Sequence, residues 1–115
     1  MALVHTDELA QRQYELGLLN RRLANNAASL DEAFAELTRQ RGSVDLLCAC
    51  GREGCELPAV TVPFSAYDLV LASPHRFLIA PGHATEIDDV IAAGDGYEIV
   101  EIKPAFRSVH PLTAG

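Results

Sequence analysis

Leucine recurs at every seventh position through the first third of the chain, at Leu9, Leu16, Leu23, Leu30 and Leu37. Leu19 and Ala33 each lie three residues after a member of that row, and Phe34 lies four after Leu30. The apolar positions therefore form one seam at heptad spacing, which belongs to a helix packing along its length against another helix. Neither proline nor a β-branched residue interrupts Asp7 to Leu37. Thr6 is a plausible N-cap, with Asp7 and Glu8 in the first turn where the helix dipole favours negative charge. Gly42 supplies a stop after Arg39 and Arg41. Arg12 and Asn26 interrupt the seam, and an Asn buried there would fix register at a cost in stability.

Two readings of this stretch compete. One is a continuous helix of about 30 residues, roughly 45 Å long. The other breaks near Asn25-Asn26 into a helical hairpin, with Ser29 to Glu32 as a capping box for the second arm. A helix of the first kind is too long for the remaining residues to cover, which predicts a homodimer or a docking surface. Against that prediction stands the reading in which the leucines simply line the chain's own core.

From residue 44 the period shortens. Val44 to Leu47 and Ala59 to Val62 read as strands, the second ended by Pro63. Ser65 to Asp68 matches a capping box that opens a short helix, Ala66 to Ala72, stopping before Ser73-Pro74. Arg76 to Ala80 reads as a third strand, followed by the turn pair Pro81-Gly82. Asp88 to Ala92 fits strand or helix. After the turn Gly94-Asp95-Gly96, residues Tyr97 to Lys103 alternate, with Tyr97, Ile99 and Glu101 on one face and Glu98, Val100 and Ile102 on the other. The expected core comprises Leu46, Val60, Val62, Tyr67, Val70, Phe77, Ile79, Ile99 and Val100.

Composition narrows the role. The 115 residues are 49% hydrophobic and 22% charged, a folded-domain composition. A net charge of −7 argues against a nucleic-acid binder, which needs a basic face for phosphates, and against docking on anionic lipid. No apolar run approaches the roughly 20 residues that span a bilayer. The first residues lack the basic region and apolar core of a signal peptide, so the chain reads as cytoplasmic.

In that compartment three clustered cysteines are metal ligands or redox groups more often than disulfides. Cys48, Cys50 and Cys55 form C-x-C-x4-C, with Gly51 directly after the second and Gly54 directly before the third. A metal-binding loop needs such glycines, because its backbone turns with amides directed at sulfur, often at positive φ. Zinc takes four thiolate or imidazole ligands in a closed structural site. A thiol redox switch and three unliganded buried cysteines are the competing readings. The fourth ligand comes from His5, His75, His83 or His110. His83 is best placed, because the turn Pro81-Gly82 after a strand would aim its ring. His5 and His110 sit near the chain ends, and His75 follows Pro74 at a helix end.

Residues 48 to 103 resemble a group of small, mostly uncharacterised actinobacterial proteins. Their pattern is a C-x-C-x4-C cluster, an aromatic-centred short helix, P-x-R/H-F-x-V-x-P-G-H and a G-Y-x-V-V-E segment. The matching residues are Cys48, Cys50 and Cys55, then Tyr67, then Pro74 to His83, then Gly96 to Glu101. The resemblance implies that the three cysteines and His83 form a zinc site. It brings no established activity. The chain departs from the pattern at Val70-Leu71 and at Asp88 to Ile91, where the group favours arginine-containing pairs.

Together these observations predict an α+β protein. A long N-terminal helix precedes a small, mostly antiparallel sheet with a zinc knuckle and one short helix. Its segments are a coiled-coil-like helical region (1–42), a zinc-binding α+β domain (43–103) and a flexible tail (104–115). The expected role is a protein-interaction or regulatory module with one structural Zn2+ per chain, acting through a protein partner or homodimer. The alternative is a thiol-based redox or metal sensor. A zinc enzyme would need an open coordination position and a base such as Glu53, Glu56 or Glu86, and no catalytic zinc or phosphate-loop motif is present.

Overall fold

A computed structural model of the chain describes residues 2–28, 42–52, 55 and 59–109. Helix α1 spans Ala2–Ala28 without a break. Strands β1 (Ser43–Leu46) and β2 (Val60–Pro63) pair antiparallel, with Val44 opposite Val62. Helix α2 (Phe64–Leu71) follows directly. Strands β3 (Arg76–Ile79), β4 (Asp88–Gly94) and β5 (Tyr97–Ile102) form an antiparallel sheet in the order β3-β5-β4. A 3-10 turn covers Pro104–Val109 and holds back onto β5 through Arg107, whose Nε donates to the Ile102 carbonyl at 3.0 Å. The fold is α+β, as the sequence predicts, and every residue of the expected core is buried.

Three local expectations change. Helix α1 begins at Ala2, so Thr6 lies inside it rather than capping it. The seam Leu30 to Leu37, the Ser29 capping box and the arginines before Gly42 lie outside the described residues. Helix α2 starts at Phe64, one turn position before the Ser65 box can form, and Pro63 caps it with no side-chain hydrogen bond. The physical reason is Phe64, which is buried. Its amide donates to the Gly42 carbonyl at 3.3 Å, continuing the pairing of β2 with the chain before β1.

The segment 88–94 is a strand because β5 pairs with it, from Asp88 opposite Ile102 to Gly94 opposite Tyr97. The pairing slips at Ile91, a bulge that leaves Val90 and Ile91 exposed on the edge. As the central strand, β5 has both faces covered, with Ile99, Val100 and Ile102 all buried.

Helix α1 does not bury the leucine row as a row. Leu9 is buried, Leu16 is half-buried, and Leu19 and Leu23 are 40% and 38% exposed. The residues that run through the core are Ala10, Gln13, Gly17, Asn20 and Ala24, together with Tyr14. Close approach selects them: a Cβ added at Gly17 would lie 2.8 Å from the Phe77 ring. Tyr14 meets that ring edge-on at 5.1 Å between centroids. Asn26, the seam asparagine, is exposed, whereas Asn20 is buried. At the far end, the Arg21 guanidinium donates to the Val70 and Ser73 carbonyls at 3.0 and 2.8 Å, capping α2 with a cation.

Burial of the Tyr14 and Tyr67 phenols has a consequence at high pH. It pushes both from 10.0 up to about 12, against a smaller opposing pull from Arg107 and Arg21. The unfolded chain releases these protons near pH 10, and the folded chain only near 12. Stability is therefore intact below pH 10 and falls as pH rises toward 12. A circular-dichroism titration should show helix signal lost in that window, and a flat signal through pH 12 would contradict the burial of these rings.

Candidate metal centre

The C-x-C arm leaves β1 and lies along the end of β3. The Ala49 amide donates to the Leu78 carbonyl at 2.9 Å, and the Ala80 amide donates to the Cys48 sulfur at 3.3 Å. Gly51 then turns the chain at φ +77, the positive value expected of a glycine after the second cysteine. The Cys55 amide donates to the Arg52 carbonyl at 3.3 Å, which brings the third cysteine back toward the first two.

On the opposite side, Ala80 to His83 form a turn. The His83 amide donates to the Ala80 carbonyl at 3.1 Å, with proline second and Gly82 third at φ +80. That is type II turn chemistry, and it sets His83 rigidly off the end of β3. Its Nδ1 lies 3.4 Å from the Cys48 sulfur and 3.6 Å from the Cys55 sulfur.

The ligating atoms of Cys48, Cys50, Cys55 and His83 all lie within 4.8 Å of one another. An ideal tetrahedral zinc with Zn–S and Zn–N bonds of ordinary length separates sulfur from nitrogen by about 3.6 Å. The His83 distances match that edge, so the four groups can hold one metal ion. Cys48 and Cys50 are buried, while Cys55 and His83 are half-buried. Burial pushes the Cys48 thiol up to about 12, while the amides of Ala80 and Cys50 pull it back. A cation among these sulfurs would supply the charge compensation that burial withholds.

The other histidines are elsewhere. His75 Nδ1 lies 2.8 Å from the Tyr14 hydroxyl, and their rings meet edge-on. The side chain of His5 and the whole of His110 lie outside the described residues, as do Glu53, Gly54 and Glu56. Arg52 is exposed and faces a cleft of about 390 Å³, shared with Glu8, Arg12, Thr85 and Glu86.

Comparison of the chain with protein families, with curated proteins and with solved structures finds no match in any of the three.

Sequence reasoning missed the residues that brace the cluster. Asn20 on α1 makes a two-bond clamp on the backbone just before Cys48: its Nδ2 donates to the Leu47 carbonyl at 2.8 Å, and the Leu47 amide donates to its Oδ1 at 2.9 Å. Gly51 abuts the same helix, since a Cβ there would lie 2.6 Å from the Leu9 carbonyl oxygen. The available signal was the row Ala10, Gly17 and Ala24, a heptad of small residues beside the leucines.

This contact between α1 and the knuckle is costly. Among the described residues, the buried side-chain polar atoms without a hydrogen-bond partner are Arg12 Nε, both amide atoms of Gln13 and Asp88 Oδ1. Gln13 faces Asp88 closely enough to favour its ionised form, without a well-formed hydrogen bond. Burial nonetheless raises the Asp88 carboxyl, despite the Thr85 amide and hydroxyl on its other oxygen. Each unpartnered group costs about 1–3 kcal/mol.

Proposed function

We propose that Cys48, Cys50, Cys55 and His83 bind one Zn2+ per chain as a structural ion, and that the protein is an interaction or regulatory module built on that site. The supporting observation is the convergence of one imidazole nitrogen and three sulfurs, from segments 28 to 35 residues apart, within 4.8 Å of one another, with the nitrogen 3.4 and 3.6 Å from two of the sulfurs. Three sulfurs and one nitrogen select zinc over the harder cations that oxygen ligands hold. A fourth protein ligand closes the site, and three thiolates leave the metal a poor activator of water, so the role is structural. Grouping with the actinobacterial proteins rests on the quoted motif.

The interaction role draws on α1. Leu16, Leu19 and Leu23 fall three and four residues apart, and the last two are well exposed, as a helix meeting a second helix requires. A homodimer or protein partner would cover that stripe. Among the described residues no helix is long and apolar enough to cross a membrane.

The test is elemental mass spectrometry on protein purified without a metal resin, beside His83→Ala. One zinc per chain is expected, with affinity in the variant lower by about tenfold or more, as for loss of one of four ligands. Protein with no metal and three titratable thiols would sink the reading and favour a redox thiol protein.

A further inference from the structure

We infer that the metal site gates helix α1: ion binding and docking of α1 on the sheet are one coupled equilibrium. The inference rests on the zinc reading above and adds a regulatory consequence to it.

The C-x-C arm is wedged between two elements. On one side β3 holds it through Leu78 and Ala80. On the other, α1 grips it at both ends: Asn20 clamps Leu47, the residue before Cys48, and Gly51, the residue after Cys50, seats against Leu9 and Gln13. The backbone path that brings two sulfurs to the metal is therefore the path that lets α1 approach. A metal-free arm that relaxes loses the Asn20 clamp and pushes Gly51 out of its seat.

Beyond the Tyr14 contacts with Phe77 and His75 and the Arg21 bonds to Val70 and Ser73, the docked helix has few anchors away from the knuckle. Its central contact row is alanine, glycine and two amides, with Leu9 and Tyr14 as the large buried side chains. The unpartnered atoms of Arg12, Gln13 and Asp88 all lie where α1 meets the knuckle and the turn before β4. By contrast, β5 is held on both edges by ladders to β3 and, across a single bulge, to β4, and these involve no ligand cysteine. Metal loss should thus undock α1 while the three-stranded sheet persists. Linkage makes the effect reciprocal, so loosening α1 must weaken the ion.

Native-state hydrogen exchange on the full chain, zinc-loaded and then stripped with a chelator, tests this. Amides of Leu9 to Ala24 should lose protection by about tenfold or more on stripping, the usual range for such coupling, while β5 amides keep theirs. Zinc competition with a chromophoric chelator supplies the reciprocal arm. Asn20→Ala, which removes no ligand, should bind zinc about tenfold more weakly, and Gln11→Ala, at an exposed position of the same helix, should stay within about twofold of the parent. Three results overturn the inference and spare the zinc reading: equal α1 protection in both states, simultaneous loss of α1 and β5 protection, or parental affinity in Asn20→Ala. A parent chain that takes up no zinc defeats the zinc reading itself, and this one with it. Because stripping uses the unaltered chain, the inference stays open to refutation even where Asn20→Ala fails to fold.

Discussion

Cys50→Ser is expected to lose stoichiometric zinc and to melt at least about 15 °C below the parent. Two effects combine. A structural zinc contributes folding free energy directly, with apparent binding of about 10–16 kcal/mol in small zinc peptides, against about 5–15 kcal/mol for the stability of a whole domain. In addition, Cys50 is fully buried, so the serine hydroxyl would lie in an apolar site and cost about 1–3 kcal/mol unless it found a partner. A shift of even 4 kcal/mol moves the midpoint of a 115-residue domain by about 16 °C. The measurement is zinc content together with calorimetric melting of the same preparation. A Cys50→Ser protein that melts like the parent would show that the cluster does not hold the fold together through metal.

Gly51→Ala should be strongly destabilising although it touches no ligand. The residue sits at φ +77, where an L side chain costs about 1–2 kcal/mol. Its Cβ would also lie 2.6 Å from the Leu9 carbonyl oxygen, which belongs to the backbone of α1 and cannot swing away as a side chain would. Helix and knuckle must separate, for a total of about 3 kcal/mol. Gly82→Ala is the matched comparison, at φ +80 but with nothing within 4 Å of its Cβ. It should lose only the conformational part, about 1–2 kcal/mol. Urea unfolding of the two zinc-loaded variants separates the contributions. Equal losses would mean that α1 does not press on the knuckle.

These two glycines show how much of the site was legible in advance. Both follow from local chemistry: a loop that turns amides toward sulfur and a Pro-Gly turn each need a positive φ, and glycine marks the place. The same locality explains the strands. Alternating apolar runs between turn residues specify which side chains can share a face, so Leu46, Val60, Val62, Phe77, Ile79, Ile99 and Val100 were identifiable as core from spacing alone. Local signals failed where two of them conflicted. Ser65 offers a good cap, but burying Phe64 moves the helix start past it. The segment after Asp88 reads equally as helix or strand, until the unpaired edge of β5 decides.

What the sequence by itself determined was therefore a set of elements, their apolar positions and a four-residue ligand candidate. Heptad spacing showed that α1 carries one leucine row, but periodicity does not say which face of the helix a neighbour covers. The tertiary structure decided that the small and amide row faces the sheet and that Leu19 and Leu23 face outward, because β3 passes too close for leucine at position 17. It also separated the histidines. His75 is engaged by Tyr14, 61 residues earlier in the chain, whereas His83 is aimed at the sulfurs. Contacts of that range depend on how the chain closes on itself, and no local pattern encodes them.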